Sequence, residues 1–162
     1  MKAAIYPGTF DPPTLGHLNV IQRVASNFDR LVIGIGNNLS KGSIVFSLAE
    51  RVRFFEAITQ NIQNIEILAF DGLLVDFAKS QGINIIVRAI RTIFDFEYET
   101  LQAQMNRQLG EVETYYLVVD EKYRLVSSTL VREIASYGKR LIGFVPQEIE
   151  ETVFHRLFQQ KK

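Results

Sequence analysis

Few side chains in this sequence are suited to chemistry, and they fall in four short stretches. The first is "PGTFDPPTLGH", residues 7–17, where turn formers crowd around a threonine, an aspartate and His17, one of only two histidines in the chain. The second is "RAIR", residues 88–91, the third "LVSSTLVRE", residues 125–133, and the fourth is Lys41 in "NNLSK". A glycine-bearing turn that leads into a helix start is a natural place for phosphate, because free amides and the positive end of the peptide dipoles point outward there. Arginines make forked contacts with phosphate oxygens. Hydroxyls grouped at a helix start, as in Ser127, Ser128 and Thr129, exceed what capping alone requires. No nucleophile is paired with an obvious general base, and the absence of cysteine excludes disulfides, thiolate chemistry and thiolate metal sites. A histidine-rich metal site is excluded on the same count of residues. The inventory fits a reaction in which the substrate supplies its own nucleophile and the protein holds anions in attack geometry.

These residues need a frame that gathers them. Nearly continuous apolar runs at residues 2–6, 30–35, 65–70, 83–87 and 114–119 read as strands covered on both faces. Helical patterns lie between them, which predicts a doubly wound, Rossmann-like parallel sheet of five strands with helices on both faces. Helix punctuation agrees: Thr14 is a candidate N-cap, Ser47-Leu48-Ala49-Glu50 a capping box, and Gly82, Gly110 and Gly138 candidate stops. Pro146 opens a last amphipathic helix, so residues 1–162 read as one domain with a helical C-terminal extension. In such a sheet ligands bind outside the carboxyl ends of the strands, and the loops carrying His17 and the arginines both lie at that end.

Composition narrows the partners. Lysine plus arginine number 18 and acidic residues 18, so there is no overall basic field for a nucleic acid. No apolar run is long enough to span a bilayer and the N-terminus lacks a signal-peptide pattern, so a soluble, cytoplasmic protein is expected. Taken singly, each stretch also has a plain explanation: a surface histidine after a turn, solvated arginines at a strand end, an ordinary helix cap, a solvated loop lysine. The order strand, glycine, threonine, histidine is what raises the functional reading. It matches neither the Walker loop nor the Gly-x-Gly-x-x-Gly dinucleotide pattern.

Thr14-Leu15-Gly16-His17 resembles the (His/Thr)-x-Gly-His motif of the nucleotidylyltransferase superfamily, and "YPGTFDP" before it resembles the bacterial phosphopantetheine adenylyltransferase family in particular. The likeness continues down the chain. "RAIR" stands where that family has Arg-Gly-Leu-Arg, "DFEYE" at residues 95–99 matches, and "VSSTLVRE" differs from the family motif only by Val126 for isoleucine. "FDGLLVDFA" at residues 70–78 and "QAQMNR" at residues 102–107 resemble its pantetheine-binding segments, with Gln102 in place of a usual leucine. "NNLSK" lacks the proline of the family's Asn-Pro-x-Lys.

The resemblance implies transfer of AMP from ATP to 4′-phosphopantetheine, giving dephospho-coenzyme A and pyrophosphate. His17, Lys41 and Arg88 would be catalytic, with Thr9, Lys41, Arg88, Leu73, Leu74, Met105 and Asn106 on the acceptor. ATP would be held by Thr9, Phe10, His17, Ala89, Ile90, Arg91 and Glu99. The second part of that site would be Tyr123, Arg124, Leu125, Val126, Ser127, Ser128 and Thr129. Mg²⁺ would be carried mainly by the ATP phosphates rather than by protein ligands, and a homohexamer is implied. Two other readings stand beside it: the same chemistry on another phosphorylated acceptor, and a nucleotide-binding regulator without catalysis.

Overall fold

The structure, a computed structural model, describes residues 2–37 and 44–159. Five strands, β1 (Ala3–Gly8), β2 (Arg30–Gly36), β3 (Ile65–Phe70), β4 (Ile85–Ile90) and β5 (Glu113–Val118), form one parallel sheet in the order β3-β2-β1-β4-β5. The order reverses at β1, so the loops after β1 and β4 leave neighbouring strands and diverge, which opens a crevice between them. The helices are α1 (Leu15–Ala25), α2 (Leu48–Ile58), α3 (Leu74–Ser80), α4 (Ile93–Gly110), α5 (Ser128–Ser136) and α6 (Gln147–Gln159). None among the described residues is long and apolar enough to cross a membrane.

Strand side chains alternate between two apolar layers, as a period of two requires. Ala4, Tyr6, Leu31, Ile33, Ile35 and Val87 face a cluster that takes in α1, α2, α5 and α6. Ile5, Val32 and Ile86 face the other way, onto Val75 and Ala78 of α3. The expected architecture with helices on both faces is therefore the one observed. α4 stands apart, because none of its residues is buried.

Three details depart from the sequence reading. β1 runs to Gly8 and not to Tyr6, its last two residues pairing with Gly34 and Ile35 of β2. Towards β4 the ladder pairs only Ile5 with Ile86. Pro7 lacks an N–H, and its carbonyl accepts Nη1 of Arg88 at 3.1 Å instead. β4 likewise starts later and ends later than its apolar run. Arg88, Ala89 and Ile90 are still paired with Tyr116, Leu117 and Val118, so the first arginine of "RAIR" is a strand residue.

The third departure concerns Gly110. Gly82 and Gly138 take the positive φ expected after α3 and α5, but after α4 the left-handed residue is Glu111, at φ 54. Gly110 is glycine for another reason: a Cβ there would lie 2.7 Å from the Cβ of Val75, so it marks the close approach of α4 to α3. Gly110→Ala is expected to destabilise by about 1–3 kcal/mol through overpacking, and Glu111→Gly to stabilise by up to about 1 kcal/mol by relieving a left-handed side chain. Denaturant midpoints of the two variants check the contrast.

Candidate active site

The carboxyl ends of β1 and β4, the starts of α1 and α5, and the inner flank of α4 enclose a cleft of about 630 Å³. The loop after β1 forms its floor. Phe10 there has φ 52, and its ring folds back so closely over Gly8 that a Cβ on Gly8 would lie 2.6 Å from it. Gly8 thus makes room for Phe10 and is not itself the turn.

What holds this loop comes from outside it. Asp11, 4% exposed, accepts the amides of Val45 at 2.9 Å and Phe46 at 2.8 Å. Its own carbonyl accepts Nη1 of Arg132, whose guanidinium is also 3.6 Å from the Asp11 carboxylate. Arg51, 1% exposed, donates to the carbonyls of Thr9 at 2.7 Å, Gly36 at 3.0 Å and Phe46 at 3.1 Å. One guanidinium therefore ties together the ends of β1 and β2 and the approach to α2.

At the start of α1, Thr14 and His17 cap each other. The Thr14 hydroxyl accepts the His17 amide at 3.3 Å, and the Thr14 amide donates to His17 Nδ1 at 3.0 Å. With its Nδ1 lone pair so engaged, a neutral imidazole carries its proton on Nε2. Burial first, and the charge of Arg91 second, lower the His17 pKa from 6.5 to about 4. Phe10 stands edge-on to the ring at a centroid distance of 5.0 Å and fixes its plane. His17 is thus a neutral N–H donor on the wall of the cleft. Of the first-turn amides of α1, that of Leu15 goes to the Phe144 carbonyl at 2.9 Å and that of His17 to Thr14, which leaves Gly16 for a ligand.

β4 and α4 supply the charge. Arg88 meets Glu99 through two parallel bonds of 2.5 Å, and Arg91 reaches Asp95 at 3.3 Å. Across the cleft Ser127 caps α5 by accepting the Leu130 amide at 3.1 Å, and the Ser128 hydroxyl donates to the Pro12 carbonyl at 2.7 Å. The Thr129 hydroxyl accepts Nη2 of Arg132 at 3.5 Å, so all three hydroxylated side chains have partners within the fold. The amides of Ser128 and Thr129, in the first turn, have no intrahelical partner. A further arm of the cleft, between α3 and α4, is lined by Leu73, Leu74, Gln102, Met105 and Asn106 and carries no charge.

Thr9, Phe10, His17, Arg88, Ala89, Arg91 and Glu99 all line this one cleft. So do Val126, Ser127, Ser128, Thr129, Leu73, Leu74, Met105 and Asn106. Lys41 lies outside the described residues. Ile90, Tyr123, Arg124 and Leu125 are not among the lining residues. The Ile90 side chain is buried, Tyr123 packs beside Gly16, and Leu125 is 81% exposed. Sequence reasoning missed Asp11, Arg51 and Arg132. Arg51 left a trace, since it takes the first place in the inward stripe Arg51, Phe54, Phe55, Ile58 of α2, where an apolar residue is the norm.

A sequence profile of the family "Cytidylyltransferase-like" matches residues 5–134. The chain belongs to the cytidylyltransferase-like family. Among its relatives, a "Phosphopantetheine adenylyltransferase" of Lachnoclostridium phytofermentans is 46% identical, covering 96% of this chain and 96% of the relative. Proteins of the same name from Rhizorhabdus wittichii and Clostridium botulinum are 46% and 41% identical, over 97% and 96% of this chain and 95% and 98% of their own. Among solved structures, a lipopolysaccharide core biosynthesis protein from Thermoplasma volcanium matches with a TM-score of 0.53 at 17% identity, over 74% of this chain and 97% of its own. At that identity the likeness speaks for the fold alone, and the family's matched span contains every loop that forms the cleft floor.

The state of His17 is directly measurable. Nitrogen-15 spectra of the two histidines are expected to show His17 as the Nε2–H tautomer with no protonation between pH 8 and 5.5. The unfolded chain takes up this proton near pH 6.5 and the folded one only near pH 4, so the stabilisation is complete above about 6.5 and is lost as pH falls towards about 4. Between pH 7 and 5 the unfolding midpoint is expected to fall more steeply for the parent than for His17→Gln.

Proposed function

We propose that this chain is an adenylyltransferase that moves AMP from ATP to 4′-phosphopantetheine, releasing dephospho-coenzyme A and pyrophosphate. The observation that carries this reading is the meeting, in one cleft, of a neutral imidazole N–H, two arginines, a free helix start and an uncharged arm. The names of the relatives at 41–46% identity point to the same donor and acceptor.

An oxygen of the acceptor phosphate attacks the α-phosphorus of ATP, a new P–O bond forms, and the bond to the β-phosphate oxygen breaks in line with it. A phosphate monoester is largely ionised at neutral pH, so the attack needs no base from the protein. The neutral state of His17 is consistent with that: its Nε2–H donates to the oxygens of the α-phosphorus as charge grows on them and takes no proton from the nucleophile. Arg88, held by Glu99, and Thr9 would hold the acceptor phosphate, together with Lys41, while the start of α5 and Arg91 hold the triphosphate. The uncharged arm between α3 and α4 would take the pantetheine chain.

Among the described residues no group of three histidine or acidic side chains is arranged to hold a metal. Mg²⁺ would be carried mainly by the triphosphate oxygens, where it would neutralise the leaving pyrophosphate. A compartment of synthesis in the cytoplasm suits the reading. A homohexamer does as well: α4 and β5 expose large apolar side chains, among them Phe94 (79% exposed), Leu101 (61%) and Val118 (71%).

Pyrophosphate release with ATP, magnesium and a panel of phosphorylated acceptors tests the assignment. Release with 4′-phosphopantetheine alone is expected; release with a different acceptor, or ATP binding without release, would displace it. His17→Ala is expected to lower kcat by roughly two to three orders of magnitude with little change in KM. Light scattering is expected to give a hexamer that Leu101→Arg dissociates.

A further inference from the structure

Tyr6 has no place in the roles given above. It precedes Pro7 on β1, is 3% exposed, and packs its ring against Phe10 at a centroid distance of 5.5 Å. A buried tyrosine hydroxyl ordinarily finds a partner, since desolvating it without one is costly. The Tyr6 hydroxyl has none among the described residues, yet it is not sealed in, and the residue lines the cleft. For packing alone a phenylalanine would serve equally well. The hydroxyl therefore needs a reason outside the core.

Its surroundings supply one. The charges that act on it are those of Arg88 and then Arg91, opposed by Glu99. Burial raises the phenol above its ordinary pKa, so it stays protonated at any working pH and presents an O–H donor. His17, also a neutral donor, and Gly16 line the same cleft. A neutral O–H without an acceptor among the described residues, in the field of two guanidinium groups that line the same cleft, is matched by an anionic oxygen.

We propose that the Tyr6 hydroxyl contacts substrate, donating a hydrogen bond to a phosphoryl oxygen held by Arg88. The inference rests on the transfer reading only for which phosphoryl group this is, namely that of the acceptor as it is transferred onto. It adds a fixed donor from the sheet itself to those from the loops. Because the phenol rides on β1 and cannot swing away, it would set the depth at which the phosphate sits.

The variant Tyr6→Phe removes one oxygen and keeps the ring. Two readouts apply: kcat/KM for pyrophosphate release with ATP and 4′-phosphopantetheine, and calorimetric titration with inorganic phosphate and with 4′-phosphopantetheine. The expected result is a fall of roughly ten- to a hundredfold in kcat/KM and weaker binding of both probes. The unfolding midpoint should be equal to or above that of the parent, which a merely structural tyrosine would not give. Equal affinities and equal kcat/KM in the two proteins, or a parent that binds neither probe, overturn the proposal. A parent that binds phosphate but releases no pyrophosphate sinks the transfer reading alone, and the titrations still decide the case of Tyr6.

Discussion

A buried guanidinium holds this cleft in shape. The loop after β1 has prolines where a regular ladder would need amides, so it cannot fasten itself by backbone pairing. Arg51 fastens it instead, with three carbonyls as partners and the Asp11 carboxylate as the nearby opposing charge. Burial works against the charged guanidinium and lowers its pKa, and the Asp11 charge counters that. An arginine in such a place is costly to desolvate, by several kcal/mol before compensation. Three charge-assisted bonds to carbonyls are of the size needed to offset the cost. The consequence for chemistry is geometric: Thr9 and Gly36, which border the cleft, are both placed by a side chain that does not itself line it.

His17 shows how the fixed loop passes its order to the reacting groups. Three influences act on the ring and all point one way. The Thr14 amide occupies Nδ1, partial burial in the cleft wall disfavours the charged ring, and Arg91 repels a second proton. With a pKa of about 4 the protonated fraction at neutral pH is on the order of one in a thousand. A charged imidazole would bind a ground-state phosphate strongly, whereas a neutral donor gains most where charge is increasing, in the transition state. The arrangement therefore favours turnover over tight holding. It also explains why a histidine stands in the third position of a capping box, where glutamate or glutamine is usual.

Much of this was legible in the sequence, because it rests on local rules. The parallel sheet followed from apolar runs separated by helical patterns, and the helix starts at Thr14, Ser47 and Ser127 followed from side chains that accept amides three residues on. What was not legible depends on approach between distant segments. Gly110 looked like a helix stop because glycine favours positive φ, but the structure uses it for contact with Val75, a residue 35 positions earlier in the chain. Asp11 reaches Val45 across 34 positions and Arg51 reaches Thr9 across 42, and no spacing rule reaches so far. Strand ends failed for a related reason, since Arg88 is kept in β4 by pairing with Tyr116 and not by its own propensity. The serines at the start of α5 were read correctly as a cluster, but one hydroxyl turned out to bind Pro12 and so to brace the β1 loop.

The helix that sequence patterning describes least well, α4, is the one that most constrains how the cleft works. Glu99, Gln102, Ala103 and Asn106 recur at spacings of three, four and seven, and all line the cleft. Phe94, Leu101 and Leu109 lie on an adjoining stripe and are exposed. Neither stripe is core, so the helix lacks the single buried face that would anchor it; it is held by the close approach to α3 at Gly110 and, on the sheet side, by the pair between Glu99 and Arg88 and the contact of Phe96 with Tyr116. A helix so weakly buried takes its position from whatever fills its two open stripes. Glu99 therefore serves twice, holding Arg88 in the cleft and holding α4 to the sheet edge.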